Sequence, residues 1–229
     1  MTIGILVAVG VTCTVILALL LIFRRDLVGV DLSGQSLLRL YLYLASLAGV
    51  ITVTVGVSLL LAWGMGNAFG LETAYGRPPL VTPCPPGQCP EPAQLALQYQ
   101  HQSEQRLSGD LIGGLTTGLF GLLFYVGHKL GRRAVGGDDD TSALHRAYVV
   151  LGTFVFGLSA IVLLPVGVYQ ALSIWLIPHT DDVFVPGIAD ALTGGIVTTP
   201  IWLFYLLRMA RGARVATPRV RPGPMLSIS

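Results

Sequence analysis

The stretch RLSGDLIGGLTTGLFGLLFYVGHKLGRR, residues 106–133, decides how this chain folds. Small residues recur in it every four positions, at Gly109, Gly113, Thr117 and Gly121. Gly114 and Gly118 repeat that spacing one position on. Four-residue spacing places such residues on one helix face, and a face with little side chain lets another backbone approach closely in lipid. The stretch therefore predicts a central membrane helix with the other helices packed around it.

A second stretch repeats this pattern later in the chain. Small residues again fall every four positions, at Gly187, Ala191, Gly195 and Thr199. Asp110 precedes the pair Gly113-Gly114, and Asp190 precedes Gly194-Gly195. The spans before them also begin alike, with Arg39-Leu40-Tyr41 and Arg146-Ala147-Tyr148. We interpret this as a duplicated two-span unit, and both copies have the same orientation, as in parallel repeats related by an axis along the membrane normal.

The composition independently indicates an integral membrane protein. The 229 residues are 53% hydrophobic and 11% charged, with a mean hydropathy of +0.72. Soluble domains carry about 25% charged residues, so this chain has too little polar surface to cover a water-soluble core. No basic patch with interleaved aromatic residues indicates a nucleic-acid partner. The lipid bilayer is the predicted surroundings.

Five apolar stretches are long enough to cross a bilayer as helices, which takes about 20 residues each. They are residues 3–23, 37–63, 111–130, 146–177 and 187–207. The first lacks the basic start of a cleaved signal peptide and is predicted to be a retained span. The predicted fold class is all-α: an integral membrane five-helix bundle with one N-terminal span and two parallel two-span repeats.

These spans divide the chain into four parts. Residues 1–36 hold the first span and its inner connection, and residues 37–133 hold the first repeat with an external loop rich in proline at 65–108. Residues 134–210 hold the second repeat. Residues 211–229 are rich in arginine and proline and predict a disordered cytoplasmic tail.

The distribution of basic residues predicts the topology. With the N-terminus outside, 12 of the 14 Lys and Arg residues lie inside, and only Arg77 and Arg106 lie outside. Positive residues in short loops favour the cytoplasmic side. We therefore predict a multi-pass protein of the cell membrane with its N-terminus outside and its C-terminus in the cytoplasm.

Cys84 and Cys89 lie in the external loop among prolines that restrict the backbone. Disulfides persist outside the cell, so the pair predicts a small disulfide loop. A redox-active pair usually has two-residue spacing, and a metal site needs more ligands. No metal site and no cofactor are predicted.

Two acids stand at matching places in the repeats, Asp110 and Asp190, near the outer ends of the return spans. One interpretation is that each carboxylate is stabilised by the amides of a helix N-terminus. The other is a paired acidic entrance for a cation or a protonatable substrate. Arg106, four residues before Asp110, is placed to form an ion pair with it.

The stretch Arg39-Leu40-Tyr41-Leu42-Tyr43-Leu44 opens an apolar span, and Tyr125-Val126-Gly127-His128 ends the return span. In these motifs the chain resembles an uncharacterised family of prokaryotic multi-pass membrane proteins, known only as a domain of unknown function. The resemblance covers residues 37–210 less the external loop. It implies a helical bundle and supplies no activity.

Three classes of function follow from these patterns. A non-catalytic scaffold or accessory subunit of a membrane complex, joined to a membrane protein partner or to further copies of itself, fits the small-residue faces. A small-solute or cation transporter or channel, built from the duplication, fits Asp110 and Asp190. A redox enzyme would need facing histidines, and His128 and His145 lie at span ends, where they can approach each other across the inner loop. No catalytic residue is predicted, because no motif for a nucleophile, a phosphate loop or a zinc ligand set is present.

Overall fold

The computed structural model describes residues 34–77, 92–135, 143–176 and 185–215. These ranges contain five helices and two short strands: α1 (Gly34–Phe69), α2 (Leu71–Tyr75), β1 (Gly76–Arg77), α3 (Pro92–Ala134), α4 (Ala143–Leu176), β2 (Val185–Pro186) and α5 (Ala189–Val215). The predicted first span, the Cys84–Cys89 pair and the end of the tail from residue 216 lie outside the described residues.

Four of the helices are long and apolar enough to cross a membrane: Leu37–Phe69, Ala93–Ala134, Leu144–Leu176 and Ala189–Arg211. Their most apolar windows have mean hydropathies between 1.3 and 2.5. A helix satisfies its own backbone hydrogen bonds, which is the requirement for crossing lipid. The all-α, multi-pass membrane class is therefore confirmed for the described residues.

The helices extend beyond the predicted spans. α1 continues to Phe69 and α3 begins at Pro92, so much of the region 65–108 predicted as a loop is helical. Residues 93–106 contain mainly Ala, Leu, Gln, Glu and Arg, which favour helix, and proline is well tolerated in the first helical turn. The extramembrane segment and the span consequently form one helix. α5 likewise continues to Val215, into the region predicted as a tail.

The prediction that residues 106–133 form a central helix is wrong. Only 11% of the most apolar window of α3 is buried, against 33% in α1, 33% in α4 and 39% in α5. α3 has one face packed closely on α1 and carries large residues such as Ile112, Phe120 and Leu123 on exposed faces. α1 contributes more of the buried residues, among them Leu42, Tyr43, Ser46 and Leu47.

Short segments connect the helix pairs at one end. β1 and β2 pair antiparallel, with Gly76 opposite Pro186 and Arg77 opposite Val185. Beside them, Ala62 of α1, Ala74 of α2 and Ala189 of α5 form a small buried cluster. Gly76 has a φ of +85°, a conformation that glycine adopts without a steric cost, and this allows the chain to turn from α2 into β1. The segment that precedes residues 78–91 and the segment that follows residues 177–184 thus meet at this end.

α4 and α5 pack along much of their length, and glycines define the contact. A Cβ added at Gly167 would lie 2.5 Å from the Cα of Leu192, and one at Gly195 would lie 2.8 Å from the Cα of Leu164. Both helices continue through an internal proline, Pro165 in α4 and Pro200 in α5.

Candidate functional site

The closest approach of α1 and α3 is made by glycine backbones. A Cβ added at Gly56 would overlap the backbone nitrogen of Gly118 and lie 2.9 Å from the carbonyl oxygen of Gly114. Further along, a Cβ at Gly121 would lie 2.7 Å from the backbone nitrogen of Val53. Real Cβ atoms do not come so close to backbone, so this interface depends on glycine.

The residues predicted to form the packed face of α3 lie, over much of the helix, one position before the residues that actually pack closely on α1. Gly109 has nothing within 4 Å of an added Cβ, and at Gly113 the nearest atom is a Leu59 methyl at 3.6 Å, an ordinary contact. Thr117 is half-buried. Because one residue turns a helix by about 100°, the choice of Gly114 and Gly118 over Gly113 and Thr117 rotates the packed face by that angle.

The residues of the second predicted face lie in α5 and just before it, and they contact several different parts of the chain. Gly187 packs against the backbone of Ala74 and Tyr75, and Gly195 packs against α4. Ala191 is buried, with its carbonyl carbon 2.9 Å from a Cβ added at Gly167. Thr199 donates its hydroxyl to the carbonyl oxygen of Gly195 at 2.7 Å.

Asp110 and Asp190 come together through two other side chains. The Tyr75 hydroxyl donates to Oδ2 of Asp110 at 2.8 Å. Arg106 Nη2 lies 3.4 Å from Oδ2 of Asp190, and the Arg106 guanidinium carbon lies 5.6 Å from the centre of the Tyr75 ring. We call Tyr75, Arg106, Asp110 and Asp190 the outer network. It links the two predicted repeats, since Asp190 belongs to the second.

Two sequence-based interpretations of these acids change. Arg106 forms its ion pair with Asp190 rather than with Asp110, four residues away on the same helix. Asp190 does lie in the first turn of α5, where the helix dipole favours a carboxylate. Asp110 lies inside α3, which begins at Pro92, so the helix N-terminus cannot stabilise it. The Tyr75 hydrogen bond takes that role.

The outer network borders an open depression of about 500 Å³. Its lining consists of Gln102, Gln105, Arg106, Gly109 and Asp110. Burial raises the pKa of Tyr75 well above its usual value, and the hydrogen bond and negative charge of Asp110 add to this effect. Tyr75 therefore stays protonated as the hydrogen-bond donor. The Arg106–Asp190 pair is exposed, and such surface pairs contribute about 0–1 kcal/mol.

A second cluster, which the sequence did not predict, lies at the opposite end of the long helices. Arg132 of α3 is only 6% exposed. Its guanidinium carbon lies 4.7 Å from the centre of the Tyr43 ring of α1 and 5.3 Å from that of Tyr148 of α4. The Tyr148 and Tyr205 hydroxyls are 2.7 Å apart, which adds α5. These four residues, with His145, form what we call the Arg132 cluster.

All four long helices meet in the Arg132 cluster. The His145 ring is buried at 6.1 Å from the ring of Tyr43 and 6.3 Å from that of Tyr148. Stacking of a guanidinium on tyrosine faces provides about 2 kcal/mol or more when the cation is desolvated. This contributes to offsetting the cost of removing Arg132 from water.

A sequence signal for this cluster exists in hindsight. Tyr43, Tyr148 and Tyr205 lie at the same end of three different spans, and Arg132 ends a fourth. Sequence spacing alone, however, does not show that these four residues face one another.

The two histidines of the predicted inner side have separate surroundings. The Nε2 atom of His128 lies 3.3 Å from the Tyr41 hydroxyl, and its Nδ1 lies 2.7 Å from the carbonyl oxygen of Phe124. His145 instead contacts Tyr43 and Tyr148. Within the described ranges, no group of three or more His, Cys, Asp or Glu residues lies close enough to hold a metal ion.

Hydroxyl groups inside the spans bond to their own helices. Thr54, Thr153, Thr193 and Thr198 each donate to the carbonyl oxygen four residues earlier, at 2.6–2.8 Å. Such back-bonding satisfies the hydroxyl without a partner from another helix. These side chains therefore fit within packed helices.

A scan against protein-family models and searches of curated proteins and of solved structures find nothing similar to this chain. The resemblance to an uncharacterised membrane family stays a prediction.

Proposed function

We propose that this protein is a non-catalytic scaffold or accessory subunit of a membrane complex. The observation that carries the proposal is the asymmetry of α3, a helix of 43 residues packed closely on α1 along one face. Only 11% of the most apolar window of α3 is buried, which leaves most of its circumference available to another protein, whereas the windows of the other long helices are 33–39% buried.

The exposed surface of α3 continues from the membrane into water. Within the span, Phe120 is 69% exposed beside Ile112 and Leu123. Residues 92–108 are polar and extend the helix by about 25 Å at 1.5 Å per residue. Leu97 is 58% exposed in this aqueous part, where lipid cannot cover it. A partner that follows α3 through both regions would bury these apolar side chains.

The polar groups of the spans also favour a packed helix bundle over a path for a transported solute. Transport sites usually place polar or ionisable groups near the midplane, facing a water-filled path. The hydroxyls of Thr54, Thr153 and Thr193 instead bond to their own backbones, and glycines draw the helices together.

Site-specific photo-crosslinking in native membranes tests the proposal. A photoreactive residue is placed at Leu97 or Phe120, and the matched control is Ile161, an equally apolar and exposed position on α4. We expect discrete protein adducts from the two α3 positions and only lipid adducts from Ile161. An adduct of twice the chain's mass identifies a homo-oligomer, and another mass identifies a different subunit. Absence of protein adducts from both α3 positions contradicts the scaffold function.

The alternative is a small-solute or cation transporter or channel, and the outer network favours it. Asp110 and the open depression beside it provide an acidic entrance to which Asp190 is linked through Arg106. Reconstituted protein should then conduct cations across vesicle membranes, and Asp110→Asn should reduce the flux. Glu72→Gln, which removes another carboxylate near the same end of the chain's helices, is the control. Flux that equals that of empty vesicles rules out this alternative.

The internal duplication is part of the same proposal, and paired contacts support it. The Gly56–Gly114 contact of the first pair corresponds to Leu163–Gly194 in the second. The Gly49–Tyr125 contact corresponds to the stacked rings of Phe156 and Tyr205. In both cases the first residue of the contact in the second pair lies 107 positions after its counterpart in the first pair, and the second residue lies 80 positions after its counterpart. Two contacts with the same pair of offsets are expected if one two-helix unit was copied.

We also propose five spans in the cell membrane, with the N-terminus outside and the C-terminus in the cytoplasm. Support comes from the distribution of 12 of 14 basic residues to one side. Single cysteines introduced at Thr2 and Ser229 are labelled in intact cells with a membrane-impermeant reagent. Labelling at residue 2 alone is expected, and labelling at residue 229 contradicts the topology.

A further inference from the structure

Arg132 is a buried cation whose Nε–H has no hydrogen-bond acceptor among the described residues. Arginine cannot lose its proton in a protein, so its charge persists when it is buried. The Tyr43 and Tyr148 rings stabilise the guanidinium by cation–π contact, but they carry no formal negative charge. A buried cation of this kind usually has an anionic partner.

A second buried donor lies close to the same tyrosine. Ser46 is fully buried, and its hydroxyl has no hydrogen-bond partner within the described ranges. It follows Tyr43 by three residues on α1, which places both on one helix face. Buried polar groups in folded proteins are nearly always hydrogen-bonded, so two such groups beside Tyr43 indicate a bound species.

Among the described residues, the charged side chains at this end are basic, which favours an anion. Arg133 and Arg146 are exposed here, and Lys129 lies with its ammonium 5.6 Å from the centre of the Tyr125 ring. α4 begins at Ala143, so its N-terminal amides favour negative charge beside His145. The described carboxylates are at the other end of the long helices or near it: Glu72, Glu104, Asp110 and Asp190.

We propose that the Arg132 cluster, together with Ser46, binds a phosphate group. A guanidinium presents a planar set of N–H donors that matches phosphate oxygens, and a serine hydroxyl supplies a further donor. Lipid headgroups lie at this depth, at the ends of membrane helices, and basic pockets between such helices bind anionic headgroups. A phospholipid headgroup and free phosphate share this chemistry. This site is separate from the α3 surface proposed for a partner subunit.

Thermal unfolding of the full-length protein in neutral detergent tests the site. The probes are phosphatidylglycerol, phosphatidylcholine and inorganic phosphate, each titrated against the parent, Arg132→Lys and Arg133→Lys. Both variants keep the net charge, so nonspecific attraction is the same. We expect phosphatidylglycerol or inorganic phosphate to raise the unfolding temperature of the parent and of Arg133→Lys. Arg132→Lys should bind about tenfold more weakly, since a charge-assisted hydrogen bond is lost.

The two sources of phosphate are distinguished by which probe acts. A response to phosphatidylglycerol alone identifies a lipid headgroup, and an equal response to inorganic phosphate identifies a free anion. Equal responses of the parent and Arg132→Lys overturn the site, as does a parent that responds to no probe or equally to phosphatidylcholine. If Arg132→Lys does not fold, Ser46→Ala decides: it should weaken binding, and unchanged affinity overturns the proposal.

Discussion

Replacing Gly56 by alanine is the most direct test of the α1–α3 contact. The added Cβ would overlap the nitrogen of Gly118 and lie 2.5 Å from its Cα. Those are backbone atoms, which cannot rotate away as a side chain does, so one helix must move. Overpacking of this kind typically costs about 1–3 kcal/mol in the free energy of unfolding.

The matched control is Gly109→Ala on α3, where nothing lies within 4 Å of the new Cβ. Alanine favours helix over glycine by about 1 kcal/mol at either position, so this contribution largely cancels between the two variants. The difference between them therefore estimates the packing cost alone. For a chain of this size, about 1–3 kcal/mol corresponds to a separation of roughly 2–12 °C in unfolding temperature.

Intrinsic fluorescence of the purified protein in detergent, followed on heating, measures both variants. We expect Gly56→Ala to unfold below the parent, and Gly109→Ala to unfold at or above it. Gly113→Ala should resemble the control, because its nearest contact is an ordinary one at 3.6 Å. Equal unfolding temperatures for Gly56→Ala and Gly109→Ala would refute the close approach of α1 and α3.

Three further predictions concern single groups. Tyr205→Phe leaves the buried Tyr148 hydroxyl without its partner at 2.7 Å, so a loss of about 1–3 kcal/mol is expected in the same thermal assay. Tyr75 has a folded-state pKa above its unfolded value, so its contribution to stability is full below about pH 10 and is lost as the pH rises further. Unfolding temperatures of the parent should therefore fall more steeply above that pH than those of Tyr75→Phe, and parallel curves would argue against the Tyr75–Asp110 bond. Denatured, unreduced protein should show one reactive thiol, because Cys84 and Cys89 are predicted to be joined, whereas three reactive thiols would exclude the disulfide.

The amino-acid sequence by itself determined the class of this protein. Apolar stretches of about 20 residues cross a bilayer only as helices or closed barrels, and their length and continuity here indicate helices. Residues 37–63 and 111–130 accordingly lie within α1 and α3, and α4 (Ala143–Leu176) and α5 (Ala189–Val215) cover the other two predicted spans up to residue 176 and from residue 189. Two of the repeated small residues, Gly121 and Gly195, lie where the backbone of another helix comes within about 3 Å of an added Cβ.

Only the tertiary structure decided which residues meet. Spacing shows that Gly109, Gly113 and Thr117 share a face, but the rotation of a helix about its axis depends on its neighbours, and the backbone of α1 approaches most closely at Gly114 and Gly118. Arg106 has Asp110 within reach along its own helix, and yet the fold pairs it with Asp190, which is 84 positions away. Arg132 is buried for the same reason: tyrosines of α1 and α4 lie against it, and a third tyrosine, on α5, bonds to the α4 tyrosine. Local sequence spacing does not show such contacts between distant segments.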